Sequence, residues 1–292
     1  MAAPFDQLLS RRHALQFMAG GAAWLAGVAP SVAGEARIAG LIEATKALPT
    51  VGQRIDFIAG ALRGARYQAY TLIGGPKRPE RFVVREDGFD CVTFCETVLA
   101  AAISRDIGEF EKSLRTIRYH NGIVTWRERN HYFFEWSQHN IDNKICRPVT
   151  MDGAVSLEKS VYWHRALGRR RFSMRVIPHA NFLANKTLLA KGDIVGFVTQ
   201  RPNLDYFHIG FVAFGTDGEL LLRHASRSRH RVVDERMERF AAKNRVRYVT
   251  LLRARERDDC DDVRLFVPAL AETTALSVHA AAALPSAFTS AV

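Results

Sequence analysis

The stretch "DCVTFCETVLAAAISR", which runs from Asp90 to Arg105, predicts the best-defined helix in this chain. Its apolar side chains recur three and four residues apart, and this spacing places them in one stripe along a helix. The stripe consists of Val92, Cys95, Val98, Leu99, Ala102 and Ile103. Asp90 is a good N-cap, because its carboxylate can accept hydrogen bonds from the free N–H groups of the first turn. We therefore expect a helix that starts at Cys91 and packs its stripe against a core.

The two cysteines of this helix, Cys91 and Cys95, have different predicted roles. A disulfide between them is disfavoured, because Cβ atoms four residues apart on a helix are about 5–6 Å apart and a disulfide needs roughly 3.5–4.5 Å. A zinc site is also disfavoured, since Cys146 and Cys260 lie far away in the sequence and in no ligand pattern. Cys95 lies in the apolar stripe and is predicted to be a small core residue.

Cys91 lies in the first turn of the predicted helix, directly after its cap. Backbone N–H groups and the positive end of the helix dipole meet there, and both lower the pKa of a thiol. The thiolate is the form that attacks carbonyl carbons. An inert thiol at a helix start is the alternative, so the prediction of a nucleophile depends on finding a base for it.

Two of the ten histidines are candidates for that base and its orienting partner. His208 follows the loop "TQRPNLDY" and opens the predicted strand "HIGFVAF", while His224 closes the next predicted strand, "LLLRHAS". Neighbouring antiparallel strands can place the two imidazoles side by side. A cysteine hydrolase needs a base within reach of the sulfur and a third group that orients this base. Each histidine alone can also be a core or surface residue.

The rest of the sequence predicts helices first and an antiparallel sheet afterwards, which is an α+β arrangement. Helical spacing of apolar residues extends over 38–48, 54–63 and about 109–117. The segment "LIGGPKRPE" reads as a loop. From Lys191 onward, strands are predicted for "GDIVGFVT", "FHIGFVAFG", "GELLLRHAS" and, last, "VRYVTLLRAR". Residues 34–267 contain no boundary between domains, and residues 268–292 form an Ala/Ser/Thr-rich tail that we expect to be poorly ordered or a loose helix.

Residues 1–33 predict an export signal of the twin-arginine type. Arg11 and Arg12 precede a Gly/Ala-rich apolar run of 16 residues, Ala14–Ala29, and small residues follow it. This run is shorter than the roughly 20 residues that span a bilayer. We therefore expect cleavage after Ala33, no stable membrane span in the mature protein, and a periplasmic location. An amphipathic helix at the start of a cytoplasmic protein is the alternative.

The formal charge of the chain is +11, which favours anionic partners. Nucleic acid, anionic lipid and anionic cell-wall polymer all satisfy this criterion, and charge alone does not choose among them. An exported protein does not meet the nucleic acids of the cytoplasm. We therefore expect no nucleic-acid partner.

Five segments between Phe89 and Ser226 resemble one known family. They are "FDCVTFCETVLA", "IRYHNGIVTWRERNHYFFEW", "KGDIVGFVT", "HIGFV" and "RHAS". In this order they are similar to the N-acetylmuramoyl-L-alanine amidase-like family, within the papain-like cell-wall cysteine hydrolases of the NlpC type. The resemblance implies an α+β, papain-like fold in which N-terminal helices pack on an antiparallel sheet.

The resemblance also implies an activity, which is the hydrolysis of an amide bond in peptidoglycan or in a muropeptide. Cys91 would be the nucleophile, His208 the base and His224 the third polar residue, where related enzymes have His, Asn or Gln. No metal or cofactor is required by this chemistry. Cys95 stands where family members often have an aliphatic residue, which agrees with its predicted place in the core.

Further residues in the matching segments are predicted to contact the substrate. They are Asp90, Tyr119, Arg127, Arg129 and Ser226. For the two arginines, a solvated basic edge is an equally good interpretation. The sequence does not indicate which amide bond is cleaved.

Three rival functions remain open at this point. An endopeptidase that cleaves the γ-D-glutamyl-diamino acid bond of the stem peptide would use the same residues. A non-catalytic wall-binding protein would hold glycan with aromatic side chains, namely Trp126, Tyr132, Phe133, Phe134 and Trp136. A nucleic-acid-binding protein would use "RHASRSRHRVVDERMERF", which otherwise reads as a solvated basic face. The amidase ranks first, followed by the endopeptidase, the wall binder and the nucleic-acid binder.

Overall fold

The structure, a computed structural model, describes residues 32–162 and 164–256. This part of the chain contains seven α-helices and twelve strands. The helices are α1 (Val32–Thr45), α2 (Val51–Ala61), α3 (Cys91–Ile103), α4 (Ile107–Arg118), α5 (Phe133–Asp142), α6 (His179–Ala184) and α7 (Met237–Lys243). The strands are β1 (Arg66–Tyr67), β2 (Ile73–Gly75), β3 (Arg78–Arg81), β4 (Gly88–Phe89), β5 (Cys146–Pro148), β6 (Val155–Val161), β7 (Arg170–Pro178), β8 (Ile194–Val198), β9 (Tyr206–Phe214), β10 (Leu220–Ser226), β11 (Arg231–Arg236) and β12 (Tyr248–Ala254).

Ten of these strands form one sheet in the order β4-β1-β11-β10-β9-β8-β12-β7-β6, with β5 paired to β12 beside this path. The pairs are antiparallel except for β1 and β4, which run parallel. Strands β2 and β3 form a separate hairpin. Strands β8 to β11 are neighbours in chain order, so the segments that carry the two candidate histidines lie side by side near the centre of the sheet.

The sheet separates two hydrophobic cores, because side chains alternate between its two faces along each strand. Ile209 and Phe211 of β9 belong to the core that contains helices α1 to α5. Val212 of β9 and Leu222 of β10 belong to the other core, to which α7 contributes Phe240. The sheet is therefore covered by helices on both faces.

Helix α3 lies at the centre of the first core. Ten of its thirteen residues are buried. Phe94 makes an edge-to-face contact with Phe211 of β9, with ring centroids 5.7 Å apart. This packing holds the first turn of α3, and Cys91 with it, against the strand that carries His208.

A buried ion pair fastens α3 to α4. Glu96 Oε2 lies 2.7 Å from Arg118 Nε, and both side chains are only 2% exposed. Arg118 also donates to the carbonyl oxygen of Val83 at 2.6 Å. Burial raises the pKa of Glu96, and the adjacent guanidinium opposes this rise. The pair is therefore a structural support about one and a half helical turns after Cys91.

We expect Glu96→Gln to lower the free energy of unfolding by about 3 kcal/mol, because the change leaves a buried guanidinium without its counter-charge. Urea denaturation followed by circular dichroism measures this loss. The control is Glu43→Gln, which removes one partner of an exposed pair with Lys46 and should cost less than about 1 kcal/mol. Equal losses in the two variants would contradict the assigned role of the buried pair.

Most helices and strands predicted from the sequence are confirmed. The helices predicted at 38–48, 54–63 and about 109–117 correspond to α1, α2 and α4. Asp90 caps α3 as expected, and the four strands predicted after Lys191 are β8, β9, β10 and β12. The α+β class is confirmed as well.

Two predictions of local structure were wrong, and one further strand was missed. The segment "LIGGPKRPE" contains β2 and part of β3 and is not simply a loop. Strands also begin well before Lys191, since β1 and β4 precede α3 and the long β6–β7 hairpin precedes β8. Strand β6, "VSLEKSV", was missed because Lys159 interrupts the alternation of Val155, Leu157 and Val161 with polar residues, and most of the strand is exposed.

The predicted export signal and the predicted tail lie largely outside the described residues. The proposed cleavage point after Ala33 falls at the start of α1, and residues 268–292 lie wholly outside. Within the described part of the chain, no helix has the length and apolar character needed to cross a membrane.

Candidate active site

Cys91 is held in a fixed place by the cap of α3. Asp90 Oδ1 accepts hydrogen bonds from the backbone N–H groups of Val92 and Thr93 at 3.0 and 2.8 Å. In return, the Asp90 backbone N–H donates to Thr93 Oγ1 at 3.0 Å. This reciprocal capping box satisfies the first orphan donors of the helix and orients its first residue. The carboxylate of Asp90 was predicted to contact the substrate, but it accepts hydrogen bonds from the N–H groups of the first turn instead.

The sulfur of Cys91 is partly buried and faces backbone N–H groups of Ile209, Val92 and Cys91 itself. Removal of the thiol from water, together with the charge of Asp90, nevertheless raises its pKa to about 12. The prediction that the helix start lowers this pKa was therefore wrong. The helix dipole is outweighed by burial and by the capping carboxylate, and the resting thiol is neutral.

We expect alkylation of Cys91 by iodoacetamide at pH 7 to be slower than that of an exposed cysteine by on the order of a thousandfold, because the thiolate fraction is lower by that factor. The rate should keep rising as the pH increases through about 9, where an ordinary thiol levels off. Mass spectrometry of the modified protein, with Cys91→Ala as the background, measures this profile. A plateau at neutral pH would contradict the raised pKa.

The structure places the two candidate histidines in direct contact. His208 lies on β9 and His224 on β10, and His208 Nε2 is 2.6 Å from His224 Nδ1. The rings are nearly perpendicular, with an angle of 89° and centroids 4.7 Å apart. The prediction that neighbouring strands bring these imidazoles side by side is confirmed.

Aromatic rings shield this pair from water. Phe240 of α7 lies 5.3 Å from each imidazole, measured between ring centroids. Phe197 of β8 stacks near His208 with centroids 6.4 Å apart. Burial lowers the pKa of His208 well below its usual value and lowers the pKa of His224 to about 4. Both rings are therefore neutral at pH 7.

Cys91 contacts the backbone of β9 at the residue next to His208. Ile209, whose N–H faces the Cys91 sulfur, directly follows His208 in the strand. The neutral thiol thus lies beside the peptide bond between His208 and Ile209. The thiol therefore lies next to the residue that follows His208, while the His208 ring packs against Phe197 and Phe240 of the second core.

Tyr67 is a neighbour of this site that the sequence did not reveal. Parallel pairing of β1 with β4 sets Tyr67 beside Phe89, two residues before Cys91. Burial raises the pKa of the Tyr67 hydroxyl, and the nearby Cys91 and Asp90 raise it further, while Arg227 opposes them. A strand of two residues has no periodicity, so nothing in the sequence marks this position.

Tyr119 and Arg129, both predicted to line a substrate groove, share one buried carboxylate. The Tyr119 hydroxyl and Arg129 Nη1 each donate to Glu80 Oε1 at 3.0 Å. Tyr119 has no exposed surface. The ring of Tyr119 therefore cannot contact a substrate in this structure and supports the fold instead. Arg129 is held by its ion pair with Glu80.

The two remaining predicted contact residues have contrasting positions. Arg127 is exposed in the loop before α5. Ser226 is buried at the end of β10, two residues after His224, with its hydroxyl 3.3 Å from that of Ser228. Arg127 is thus available to a ligand, whereas Ser226 is buried and is not.

The aromatic side chains suggested for a glycan-binding surface lie largely inside the protein. Trp126, Tyr132, Phe133 and Trp136 are each less than 10% exposed, and Phe134 stacks on Phe172 of β7. Cys95 is fully buried in the same core, as predicted. The described residues include no cluster of three or more side chains suited to a metal ion.

Comparison with known proteins agrees with this architecture. Residues 57–248 match the model of the N-acetylmuramoyl-L-alanine amidase-like family, and the chain belongs to that family. The matched range contains the cysteine, both histidines and most of the sheet. No curated protein matches the chain in sequence.

Solved structures share the fold. A protein from Legionella pneumophila str. Philadelphia 1 superimposes with a TM-score of 0.65 at 20% identity, covering 75% of this chain and 94% of its own. An N-acetylmuramoyl-L-alanine amidase from Bacteroides uniformis ATCC 8492 gives a TM-score of 0.63 at 23% identity, covering 70% of this chain and 99% of its own. At these identities the likeness establishes the fold.

Proposed function

We propose that this protein is a peptidoglycan hydrolase, most specifically an N-acetylmuramoyl-L-alanine amidase, with a papain-like fold of the NlpC type. The observation that carries the proposal is the placement of Cys91 at the start of α3 beside β9, whose His208 is bonded to His224. Membership of an amidase-like family supports the choice of bond. An endopeptidase that acts on the stem peptide remains the second candidate, since it would need the same three residues.

The tautomers in the proposed mechanism follow from the 2.6 Å contact between the imidazoles. If His208 donates its Nε2–H to His224 Nδ1, its own Nδ1 is free to accept the proton of the thiol. The Cys91 thiol is neutral at rest, so proton transfer to His208 accompanies attack on the amide carbonyl carbon. His208 acts as a general base, and His224 keeps it in the required tautomer.

The tetrahedral intermediate carries a negative oxygen that needs a donor. The backbone N–H of Cys91 lies in the first turn of α3, and such a donor can contribute about 3 kcal/mol. The intermediate then expels the amine, which takes the proton from His208. A water molecule, deprotonated by His208, hydrolyses the thioester and regenerates the thiol. The reaction consumes one water and needs no other reactant.

Mass spectrometry of muropeptides, after incubation of peptidoglycan with the wild-type protein or with Cys91→Ala, tests the proposal. Free stem peptides that begin with L-Ala, released by the wild type alone, would establish the amidase. Fragments cut inside the stem peptide would assign the endopeptidase instead. Retention on insoluble peptidoglycan without any product would indicate a binding protein.

The proposed substrate lies outside the cytoplasm, so the proposal includes export through the twin-arginine signal in residues 1–33. Two adjacent arginines, Arg11 and Arg12, carry this part of the proposal. Fractionation of cells that produce the wild type or a variant with both arginines changed to Lys is the test. An equal periplasmic amount of both proteins would contradict this route.

A further inference from the structure

The second ring nitrogen of His224 has an unusual environment. The side chain is 2% exposed, and its Nε2 has no hydrogen-bond partner among the described residues. Glu235 Oε2 lies 3.5 Å from this nitrogen, which is just beyond ordinary hydrogen-bond length. A buried polar atom without a hydrogen-bond partner costs free energy, so the nearby carboxylate of Glu235 is a candidate partner for this nitrogen.

Strand pairing sets Glu235 at this position. In the β10–β11 ladder Glu235 is opposite Leu222, and Leu222 is two residues before His224 on the same face of β10. Glu235 therefore projects to the face of the sheet where the histidine pair lies. Its side chain is only 14% exposed.

The charge of the neighbouring acid, Asp234, opposes the lowering of the His224 pKa, but its carboxylate is bonded elsewhere. It projects to the opposite face and pairs with Arg223, whose Nε and Nη2 donate to its two oxygens at 2.7 and 2.9 Å. In the described part of the chain, Glu235 makes no ion pair with an arginine or lysine. The carboxylate of Glu235 is thus left to the imidazole.

We infer that Glu235 is a positioning residue that accepts the Nε2–H of His224. It thereby fixes the direction of the hydrogen bonds that lead from Cys91 through His208 to His224. This inference rests on the proposed function of the site. A proton on His224 Nε2 leaves Nδ1 free to accept from His208 Nε2–H. His208 Nδ1 is then free to take the proton of the Cys91 thiol. No proton moves to Glu235 in this scheme.

The surroundings strengthen the effect of the carboxylate. Phe240 and Phe197 pack against the imidazoles, His224 is buried, and a charge acts more strongly in such a low-dielectric setting. When His208 takes a proton from Cys91, the positive charge stays on the His208 ring and is stabilised by the hydrogen bond to His224, whose other nitrogen faces Glu235. Long hydrogen bonds in ligand-free sites commonly shorten when the reacting complex forms, as the 3.5 Å contact would.

Two-bond 1H–15N NMR of full-length protein labelled at histidine tests the tautomer without any substrate. His224 should carry its proton on Nε2 in the wild type, with the signal assigned by its absence in His224→Asn. In Glu235→Gln, whose amide can either accept or donate, a part of His224 should change to the Nδ1–H form. A wild-type proton on Nδ1, or an unchanged tautomer in Glu235→Gln, would overturn the inference.

Kinetics of muropeptide hydrolysis supply the second readout. We expect Glu235→Gln to lower kcat by roughly tenfold with little change in KM, as is common for partners that orient a working histidine. The control Glu238→Gln, which changes an exposed carboxylate on α7, should leave kcat unaltered. Equal kcat values in wild type and Glu235→Gln would overturn the inference. An inactive wild type would refute the proposed function alone, because the NMR experiment still decides the tautomer.

Discussion

Cys91→Ala should abolish turnover of peptidoglycan, with a loss of kcat on the order of 10³-fold or more. Removal of the nucleophile of a covalent mechanism eliminates its first chemical step, and the other members of the site cannot replace it. Release of soluble muropeptides, quantified by liquid chromatography, measures the loss. The fold should be unaffected, since Cys91 is only partly buried at a helix end.

The chain itself offers a matched control four residues away. Cys95→Ala removes a thiol from the same helix, but this thiol is fully buried in the core. The variant should keep its activity and lose about 1 kcal/mol of stability, the usual scale for a small cavity. Full activity of Cys91→Ala would refute the cysteine mechanism. Loss of activity in Cys95→Ala, with the fold intact, would show that the wrong thiol had been chosen.

His208→Ala should have the second-largest effect, with kcat lower by about 10²–10⁴-fold, the range that general bases contribute. The thiol is neutral because its pKa is raised, so a mechanism without a base would depend on a very small thiolate fraction. KM should change little, because the imidazole is enclosed by aromatic rings. Steady-state kinetics on purified muropeptide separates the two constants.

Two further variants sharpen this test. His224→Asn should retain more activity than His224→Ala, because the Asn carbonyl can still accept the His208 Nε2–H. His120→Ala, a change to an exposed imidazole that pairs with Glu128, should leave the rate unaltered. If His208→Ala lost no more activity than His120→Ala, the assignment of the base would have to be abandoned.

The segments that could be predicted are those whose structure depends on their own residues. The start of α3 was predictable because Asp90 caps its own helix, through bonds to residues two and three positions later. Strands β8, β9 and β10 were predictable because each is apolar and bounded by turn residues. Their pairing in chain order then brought His208 and His224 together.

Segments that depend on distant partners could not be predicted. Strand β1 has two residues and exists only because β4 and β11 lie on either side of it. Tyr67 reaches the site through that pairing. The exposed β6 is polar along most of its length and is recognisable only by its ladder with β7. For β1 the stabilising contacts include residues of β11 that are far away in the sequence, and for β6 they come from the next strand, β7.

The sequence by itself determined where the candidate nucleophile stands, at the capped start of α3, and which strands carry the two histidines, since capping and periodicity act over a few residues. Only the tertiary structure decided the chemical state of these groups. Burial and Asp90 raise the pKa of Cys91, and burial keeps His208 and His224 neutral, because desolvation depends on what the whole fold packs around each group. The approach of Glu235 to His224 was likewise decided by the pairing of β10 with β11.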